Sequence, residues 1–488
     1  MTDLVSRESL GLGDEACVSA TSGLCNLCGR QVDAKIVFRG KAVVLVKWCP
    51  EHGITEGLVS SDKAWYLRSL AFLKPGTSPR RRAVDRHQGC PNSCGLCPDH
   101  QQHTCVPLLE ITSDCDMECP ICLVRGCVPG ALSLAQIDGM VDGLVASEGK
   151  LNMLTLSGGE PTRHPQFLEV VDRCLRPEVG ILSISTNGLA LAADPALARA
   201  LAERGVVVSL QLDGFSSETC RKLRGQPDLG EQKRQAIANV LAAGGRLSLT
   251  FTLAAGVNEH ELPEVLDLLF REEHVVSVMV QPLARMNAHA ARSVHGTTIP
   301  DAVRLLAQSS RGVLRESDFT PLPCSHPTCF ALTYLLKLND GTLVSLPSLI
   351  EAEPYLDLIK NQALLSTDVD SLERIREALY RLWSSDGVMP QREGILATLR
   401  QILLDLGRVR EGALHRELIE LGTRNVKSVF IHHFMDRSNF DFSRIVKCCN
   451  HYPQTDGRLL PACVRNNLAL GPTSSLPSSE EPCRRVLP

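Results

Sequence analysis

Between residues 108 and 320, short apolar runs alternate with segments whose apolar residues recur at helical spacing. The runs predict six strands, at 108–112, 152–158, 181–188, 206–214, 246–256 and 275–284. Helical patterns such as 134–149 and 195–205 separate them. This alternation is typical of parallel βα units. We therefore predict an α/β fold with a partial (β/α)6 barrel, whose chemistry lies at the C-terminal ends of the strands. A doubly wound open sheet is the alternative.

The same patterns divide the chain into five segments. Residues 1–85 hold two cysteine knuckles around a strand-like stretch, and 86–107 are rich in cysteine and histidine. Residues 108–320 form the predicted barrel. Residues 321–470 are predicted to be mostly helical and contain further cysteine groups. The Pro- and Ser-rich tail, 471–488, is expected to be disordered.

Charge and hydropathy narrow the class of protein. The net charge of −4 gives no general attraction to nucleic acid. No run approaches the roughly 18 apolar residues that span a bilayer, and the N-terminus lacks an apolar signal core. We therefore expect a cytoplasmic protein. The chain has 20 cysteines, and in a reducing compartment clustered cysteines indicate metal sites rather than disulfides.

A loop of three cysteines carries the most specific signal. In "EITSDCDMECPICLVRG", Cys115, Cys119 and Cys122 follow the first predicted strand directly. An iron–sulfur cluster ordinarily takes four thiolates, so three protein ligands would leave one metal position open to a substrate or cofactor. The alternative is a zinc knuckle with a distant fourth ligand. The spacing and the position after strand one together favour a [4Fe–4S] cluster.

This loop resembles the signature of the radical S-adenosylmethionine (SAM) superfamily. The resemblance implies that Cys115, Cys119 and Cys122 hold a catalytic cluster whose open iron chelates SAM. Reductive cleavage of SAM then gives a 5′-deoxyadenosyl radical that abstracts hydrogen, with electrons from a partner such as flavodoxin or ferredoxin. The motifs "SGGEP", "STNG" and "QLDG" end the next three predicted strands. By the same resemblance they supply SAM contacts, from Gly158, Gly159, Glu160, Ser185, Asn187, Gln211 and Asp213.

Two further cysteine groups predict auxiliary [4Fe–4S] clusters. Cys90, Cys94 and Cys97 repeat the spacing before the barrel, with an unidentified fourth ligand and structural zinc as the alternative. The second group lies in the C-terminal region, where four of five cysteines would complete one site. Its members are Cys324, Cys329, Cys448, Cys449 and Cys463. Buried cysteines without a metal are the alternative for this group.

The N-terminal knuckles predict a mononuclear site. Cys25 and Cys28 lie on one knuckle, and Cys49 and His52 on another. Such paired knuckles suit tetrahedral zinc or rubredoxin-like iron. If iron is used, Cys17 would replace His52.

The combined motifs "GCPNSCGLCPDHQQHTC", "PCSHPTC" and "HHFMDRSNFDFSRIVKCC" narrow the resemblance to one subfamily. It contains the archaeal tetraether lipid synthase and pterin-directed radical SAM methyltransferases. Val464 and Arg465 depart from the expected, more aromatic ending. The first hypothesis is carbon–carbon coupling of lipid tails, with peripheral contact at the inner membrane face. The second is C-methylation of a pterin or related heterocycle, and the third a non-catalytic iron–sulfur carrier or zinc-based interaction module.

Overall fold

The computed structural model describes most of the chain. The described residues are 15–85, 89–91, 94–123, 130–284, 296–361, 377, 391–407, 417, 420 and 424–468. The predicted tail, 471–488, lies outside them, as do residues 86–88 of the cysteine- and histidine-rich segment.

The N-terminal segment forms a separate antiparallel sheet in the order β1-β2-β3-β4. Its strands are β1 (Glu15–Leu24), β2 (Gln31–Arg39), β3 (Ala42–Cys49) and β4 (Gly53–Ser60), followed by helix α1 (Lys63–Ala71). Alternate residues of β2 are buried and exposed, because one face of the sheet packs on a small core while the other meets solvent.

Six parallel strands form the centre of a second, larger sheet, which confirms the predicted βα alternation. They are β5 (Val106–Thr112), β6 (Leu151–Gly158), β7 (Val179–Thr186), β8 (Val207–Gln211), β9 (Arg246–Leu253) and β10 (Val275–Pro282). The connecting helices are α2 (Leu134–Glu148), α3 (Phe167–Cys174), α4 (Leu189–Ala193), α5 (Pro195–Glu203), α6 (Ser217–Arg224), α7 (Leu229–Ala242) and α8 (Leu262–Arg271), and α9 (Ile299–Ser309) follows β10.

The C-terminal region adds strands to both edges of this sheet. It contains β11 (Thr320–Pro321), β12 (Phe330–Lys337), β13 (Leu343–Ser345), α10 (Ala352–Ile359), α11 (Arg392–Gly407), β14 (Val426–His432), α12 (Phe442–Ile445), β15 (Asn450–Pro453), β16 (Leu459–Pro461) and α13 (Ala462–Asn467). The strand order is β11-β12-β14-β10-β9-β8-β7-β6-β5-β15-β16, with β13 beside β12. This region was predicted as mostly helical, and its added strands extend the barrel.

The outer face of the parallel strands packs beneath the helices. In β7, Leu182 and Ile184 are buried in the main core, whereas Ser183 and Ser185 face the opposite way, into a cavity. The buried residues of α3 recur at the spacing of one helix face: Phe167, Val170, Val171 and Cys174. None of the helices in the described ranges is long and apolar enough to cross a membrane.

Candidate active site and metal centres

A cavity of about 1180 Å³ occupies the inner side of the barrel and opens at the C-terminal ends of its strands. The cysteine loop lies at the mouth, where Cys115, Cys119 and Cys122 all line the cavity. Gly158, Gly159, Ser185, Asn187 and Gln211 line it too. Two of the predicted contact residues, Glu160 and Asp213, are buried and do not appear in the cavity wall.

The cysteine loop presents its thiols at different depths. Cys115 is exposed, while Cys119 and Cys122 are half-buried, and a turn joins the Cys122 amide to the Cys119 carbonyl at 3.3 Å. Although the residue is exposed, partial desolvation of its thiol raises the pKa of Cys115 to about 11. Burial also raises the pKa of Cys119, but the Arg224 guanidinium opposes this shift by favouring the thiolate.

The two glycines of "SGGEP" let the end of β6 lie directly against the start of the cysteine loop. The Gly159 amide donates to the Thr112 carbonyl at 2.8 Å, and a Cβ on Gly159 would lie 2.4 Å from the Asp114 carbonyl oxygen. Gly158 has φ +139, and a Cβ there would lie 2.2 Å from the Thr112 carbonyl oxygen. Larger residues would therefore displace the loop that carries the cysteines.

Glu160 fixes the neighbouring strand ends. Its carboxylate accepts from the Thr162 amide at 3.2 Å, the Thr162 hydroxyl at 2.7 Å, the Thr186 hydroxyl at 2.7 Å and the Asn187 amide at 2.7 Å. Burial raises its pKa, and these donors oppose the shift. The structure thus gives Glu160 a role in holding β6 to β7, and its direct contact with SAM stays a prediction.

Asn187 ties the end of β7 to the cysteine loop. Its side-chain amide donates to the Asp116 carboxylate at 2.6 Å, and its side-chain oxygen accepts from the Leu189 amide at 2.9 Å. Ser185 is exposed to the cavity. Among the "STNG" residues, Ser185 therefore has the more open access to a ligand.

Two cations that the sequence motifs missed lie beside these residues. Arg224, at the end of α6, lines the cavity and donates to both carboxylate oxygens of Asp213, at 2.6 and 3.2 Å. Lys233, on α7, is buried and donates to the Asn187 carbonyl and to the Gln211 side-chain oxygen, the latter at 3.2 Å. Burial lowers the pKa of Lys233 to about 8. Both residues lie on helices, whereas the motif search followed strand ends.

The residues at the mouth fit the cofactors that the loop implies. Three thiols share one wall, a guanidinium favours one thiolate, and the cavity exceeds the volume of about 300–1,000 Å³ usual for a small-molecule pocket. Cysteine thiolates are the ordinary ligands of iron–sulfur clusters. Cys115, Cys119 and Cys122 would hold the cluster, and the ends of β6, β7 and β8 would contact SAM.

The N-terminal cysteines and histidine come together as predicted. The ligand atoms of Cys25, Cys28, Cys49 and His52 all lie within 4.8 Å of one another. A hydrogen bond from His52 lowers the pKa of Cys49, which favours the thiolate. Three thiols and an imidazole suit tetrahedral zinc. Cys17 is exposed on β1 and is not part of this group.

The predicted C-terminal cysteines have a neighbour that the sequence analysis did not include. Cys105, which was not assigned to the C-terminal group, contacts Cys324 and Cys449, and all three are buried. Cys329 and Cys463 both lie near the buried Arg444, and the thiol of Cys449 acts on Cys329 as well. The pairing of β15 with the start of β5 brings Cys105 beside Cys449, and the predicted C-terminal cluster stays a prediction.

Burial raises the pKa of Cys448 well above its ordinary value, and the nearby thiols of Cys449, Cys463 and Cys329 raise it further. Burial raises the pKa of Cys94 well above its ordinary value, and the nearby thiols of Cys90 and Cys97 raise it further. The identity of the metals at these cysteines stays a prediction.

Comparison with known proteins agrees with this geometry. Residues 109–269 match the radical SAM superfamily, and residues 17–61 match the HMPTM N-terminal zinc ribbon domain. The 7,8-dihydro-6-hydroxymethylpterin dimethyltransferase of Methanocaldococcus jannaschii is 27% identical over 492 aligned residues, covering 92% of this chain and 93% of that protein. The GTP 3′,8-cyclase of Erythrobacter litoralis is 28% identical, over 37% of this chain and 55% of its own.

Solved structures align with less than half of this chain. Streptococcus suis SuiB bound to S-adenosylmethionine aligns with a TM-score of 0.37 at 14% identity, over 43% of this chain and 48% of its own. None of the reported matches shows coupling of lipid tails. Residues 109–269, which hold the cysteine loop and most of the parallel barrel, are a radical SAM domain, and enzymes with this domain use SAM and a [4Fe–4S] cluster.

Proposed function

We propose that this enzyme C-methylates a pterin or a closely related reduced heterocycle. The observation that carries the proposal is a band of serine and threonine hydroxyls in an otherwise largely apolar barrel wall. Serine and threonine occupy inward positions on adjacent strands, including Thr155, Ser183, Ser209 and Thr250. A pterin presents ring nitrogens, an amide and an amino group that pair with such hydroxyls.

A band of hydroxyls suits the polar edge of a heterocycle better than a lipid tail. Thr155 pairs with Ser183, and Ser209 with Thr250, but each pair keeps a free O–H donor, and an aliphatic chain packed against it would separate that donor from water without offering an acceptor. Two matches point the same way, since a relative aligned over nearly its whole length is a pterin dimethyltransferase and the zinc ribbon is of the HMPTM type. We therefore place pterin methylation ahead of lipid coupling, the first hypothesis from sequence.

The described residues have distinct tasks in this proposal. When bound, the cluster and SAM supply one-electron reductive chemistry. Arg224 would stabilise thiolate character at Cys119 and offer a positive charge to an anionic group at the mouth. Lys233 would hold the Asn187 and Gln211 ends of β7 and β8 at a fixed separation. A methyl donor is needed in addition to the SAM consumed as oxidant.

The test is substrate-dependent turnover in the anaerobic, reconstituted full-length enzyme with reduced flavodoxin. Adding 7,8-dihydro-6-hydroxymethylpterin is expected to raise deoxyadenosine formation. Small molecules filtered from an extract of the source cells would supply the methyl donor, and mass spectrometry would detect pterin heavier by one or two methylene units. The matched control is C119A, which removes one cluster ligand. Stimulation by long-chain lipid vesicles and not by the pterin would contradict the proposal and restore lipid coupling.

A further inference from the structure

Five serines occupy one register position across five adjacent strands of the barrel. Ser185 pairs with Ser209, Ser209 with Ser248, Ser248 with Ser277, and Ser277 with Ser428. Tyr334 of β12 pairs with Ser428 and ends this row. All six residues line the cavity. We call Ser185, Ser209, Ser248, Ser277 and Ser428 the serine row.

The serine row leaves both space and hydrogen-bonding groups where barrels are usually filled. The interior of a closed (β/α) barrel is ordinarily packed with bulky branched side chains. Here the row continues the cavity inward from the cysteine loop. Ser185 stands at the motif on β7, so the row begins beside the predicted SAM contacts.

The hydroxyls of the row are partly paired with one another. Ser248 and Ser277 lie 2.9 Å apart through their Oγ atoms, and Ser209 lies 3.2 Å from the hydroxyl of Thr250. A pair of hydroxyls uses one O–H and one lone pair between its members. Each pair therefore retains an O–H donor and further acceptor lone pairs that a ligand can use.

Asn450 gives an independent indication of a ligand. This residue lines the same cavity and is only 4% exposed. Its side-chain Oδ1 is buried, and within the described part of the chain nothing donates a hydrogen bond to it. A buried carbonyl oxygen without a donor costs free energy, so it indicates a donor supplied by a bound molecule.

Charge limits the kind of molecule that fits. The row consists of neutral hydroxyls. The charged side chains that line the cavity lie towards its two ends. Those at the mouth are Asp114, Glu118 and Arg224, and those at the other end are Arg246, Glu273, Glu420 and Arg424. Arg224 is paired with Asp213, and Arg246 at the first residue of β9 is 3.6 Å from Glu420. An uncharged group with alternating donors and acceptors therefore suits the row better than an ion.

We propose that the serine row and Asn450 form the subsite for the polar edge of an uncharged, planar heterocyclic substrate, deeper in the barrel than SAM. This inference rests on the proposed function for the class of substrate. The serine hydroxyls would accept and donate hydrogen bonds along the pyrimidine edge of the heterocycle, and Asn450 Oδ1 would accept a hydrogen bond from one of its N–H groups.

The experiment is equilibrium dialysis of 6-hydroxymethylpterin against the anaerobic full-length holoenzyme with SAM. The double variant S248A/S277A removes both members of a hydrogen-bonded pair, so it leaves no new unpaired hydroxyl. We expect it to weaken pterin binding about tenfold, and N450A to weaken it similarly, with SAM binding unchanged. The control S310A removes a buried hydroxyl outside the cavity and should leave pterin binding unchanged.

Methylation is assayed in parallel, which separates the two proposals. Pterin binding that is equal in wild type and both cavity variants would overturn the subsite, even if the wild type methylates pterin. Row-dependent binding without methylation would support the subsite and overturn the proposed function. Absence of pterin binding by the wild type would overturn both. Thermal melting by circular dichroism checks that every variant is folded.

Discussion

Arg224 and Asp213 form a buried two-point ion pair at the mouth of the barrel, with Nε 2.6 Å from Oδ2 and Nη2 3.2 Å from Oδ1. The same guanidinium donates to Thr252 at 3.0 Å and approaches Cys119. Asp213, predicted as a SAM contact, thus orients a cation toward the cluster loop. The acid at the end of β8 and the cysteine after β5 are linked through one side chain.

The variant D213N should remove the ion pair that orients Arg224 toward Cys119. The amide keeps the shape of the carboxylate but leaves the buried Arg224 charge without its counter-ion, and removing one partner of a buried pair costs about 3–5 kcal/mol. We expect a lower melting temperature, together with weaker SAM binding in equilibrium dialysis. The control D172N breaks an exposed pair with Arg204 and should change stability by less than about 1 kcal/mol. Equal effects of the two variants would contradict the link.

Lys233 should make stability depend on pH. Its pKa falls from 10.5 when unfolded to about 8 when folded, so the unfolded chain holds more protons between these values. The contribution of Lys233 to the free energy of unfolding should therefore be lowest below pH 8 and should rise by about 3 kcal/mol between pH 8 and pH 10.5.

Urea unfolding at several pH values measures this rise, as the difference between the wild type and K233M. The exposed Lys222 provides the control variant K222M, which should follow the wild type. A K233M curve parallel to the wild type would show that Lys233 does not cause the rise.

Gly159 should tolerate no side chain. A Cβ there would lie 2.4 Å from the Asp114 carbonyl oxygen and 2.6 Å from that of Ser113, so G159A must displace the loop before Cys115. We expect less iron and sulfide per chain after reconstitution, measured by colorimetric analysis. In G139A, a Cβ in the open space beside α2 should stabilise the helix by roughly 1 kcal/mol without changing iron content. Normal iron content in G159A would refute this interpretation of the loop.

Loss of the N-terminal metal should loosen a distant C-terminal loop. Lys47 of β3 is buried and donates to the backbone carbonyls of Arg437 and Ser438, the latter at 2.8 Å. Since metal binding supplies much of the folding free energy of small zinc domains, C49S should disorder β3 and release Lys47.

Hydrogen exchange is then expected to become at least tenfold faster at residues 435–441, with β7 unchanged. The control C17S alters an exposed cysteine outside the metal group and should leave exchange unchanged. Unaltered exchange at 435–441 in C49S would show that the ribbon and the loop are energetically independent.

The sequence predicted the barrel well because its strands are apolar runs bounded by helices with clear periodicity. It missed β14 and β15 as sheet members because their pairing joins residues far apart along the chain. Motifs at strand ends led to Gly159 and Asn187. Arg224 and Lys233 were missed because only the packing of α6 and α7 aims their side chains inward.

The sequence did not predict the serine row, and the reason is different. Each serine lies in a strand where single polar residues are ordinary. Their alignment depends on the register of four strand pairs, which the local sequence does not specify.

The pairing of β5 with β15 also sets an order of events during synthesis. Val106 lies opposite Asn450, and Cys105 beside it contacts Cys449. The first barrel strand therefore leaves the ribosome long before its outer neighbour exists. At about 5–20 residues per second, this wait lasts roughly 20–70 s. Until then one edge of β5 lacks its partner strand. Iron that bound early to the cysteine loop after β5 would therefore bind before this edge of the sheet had formed. We therefore expect stable cofactor insertion only after β15 has been synthesised and has paired with β5.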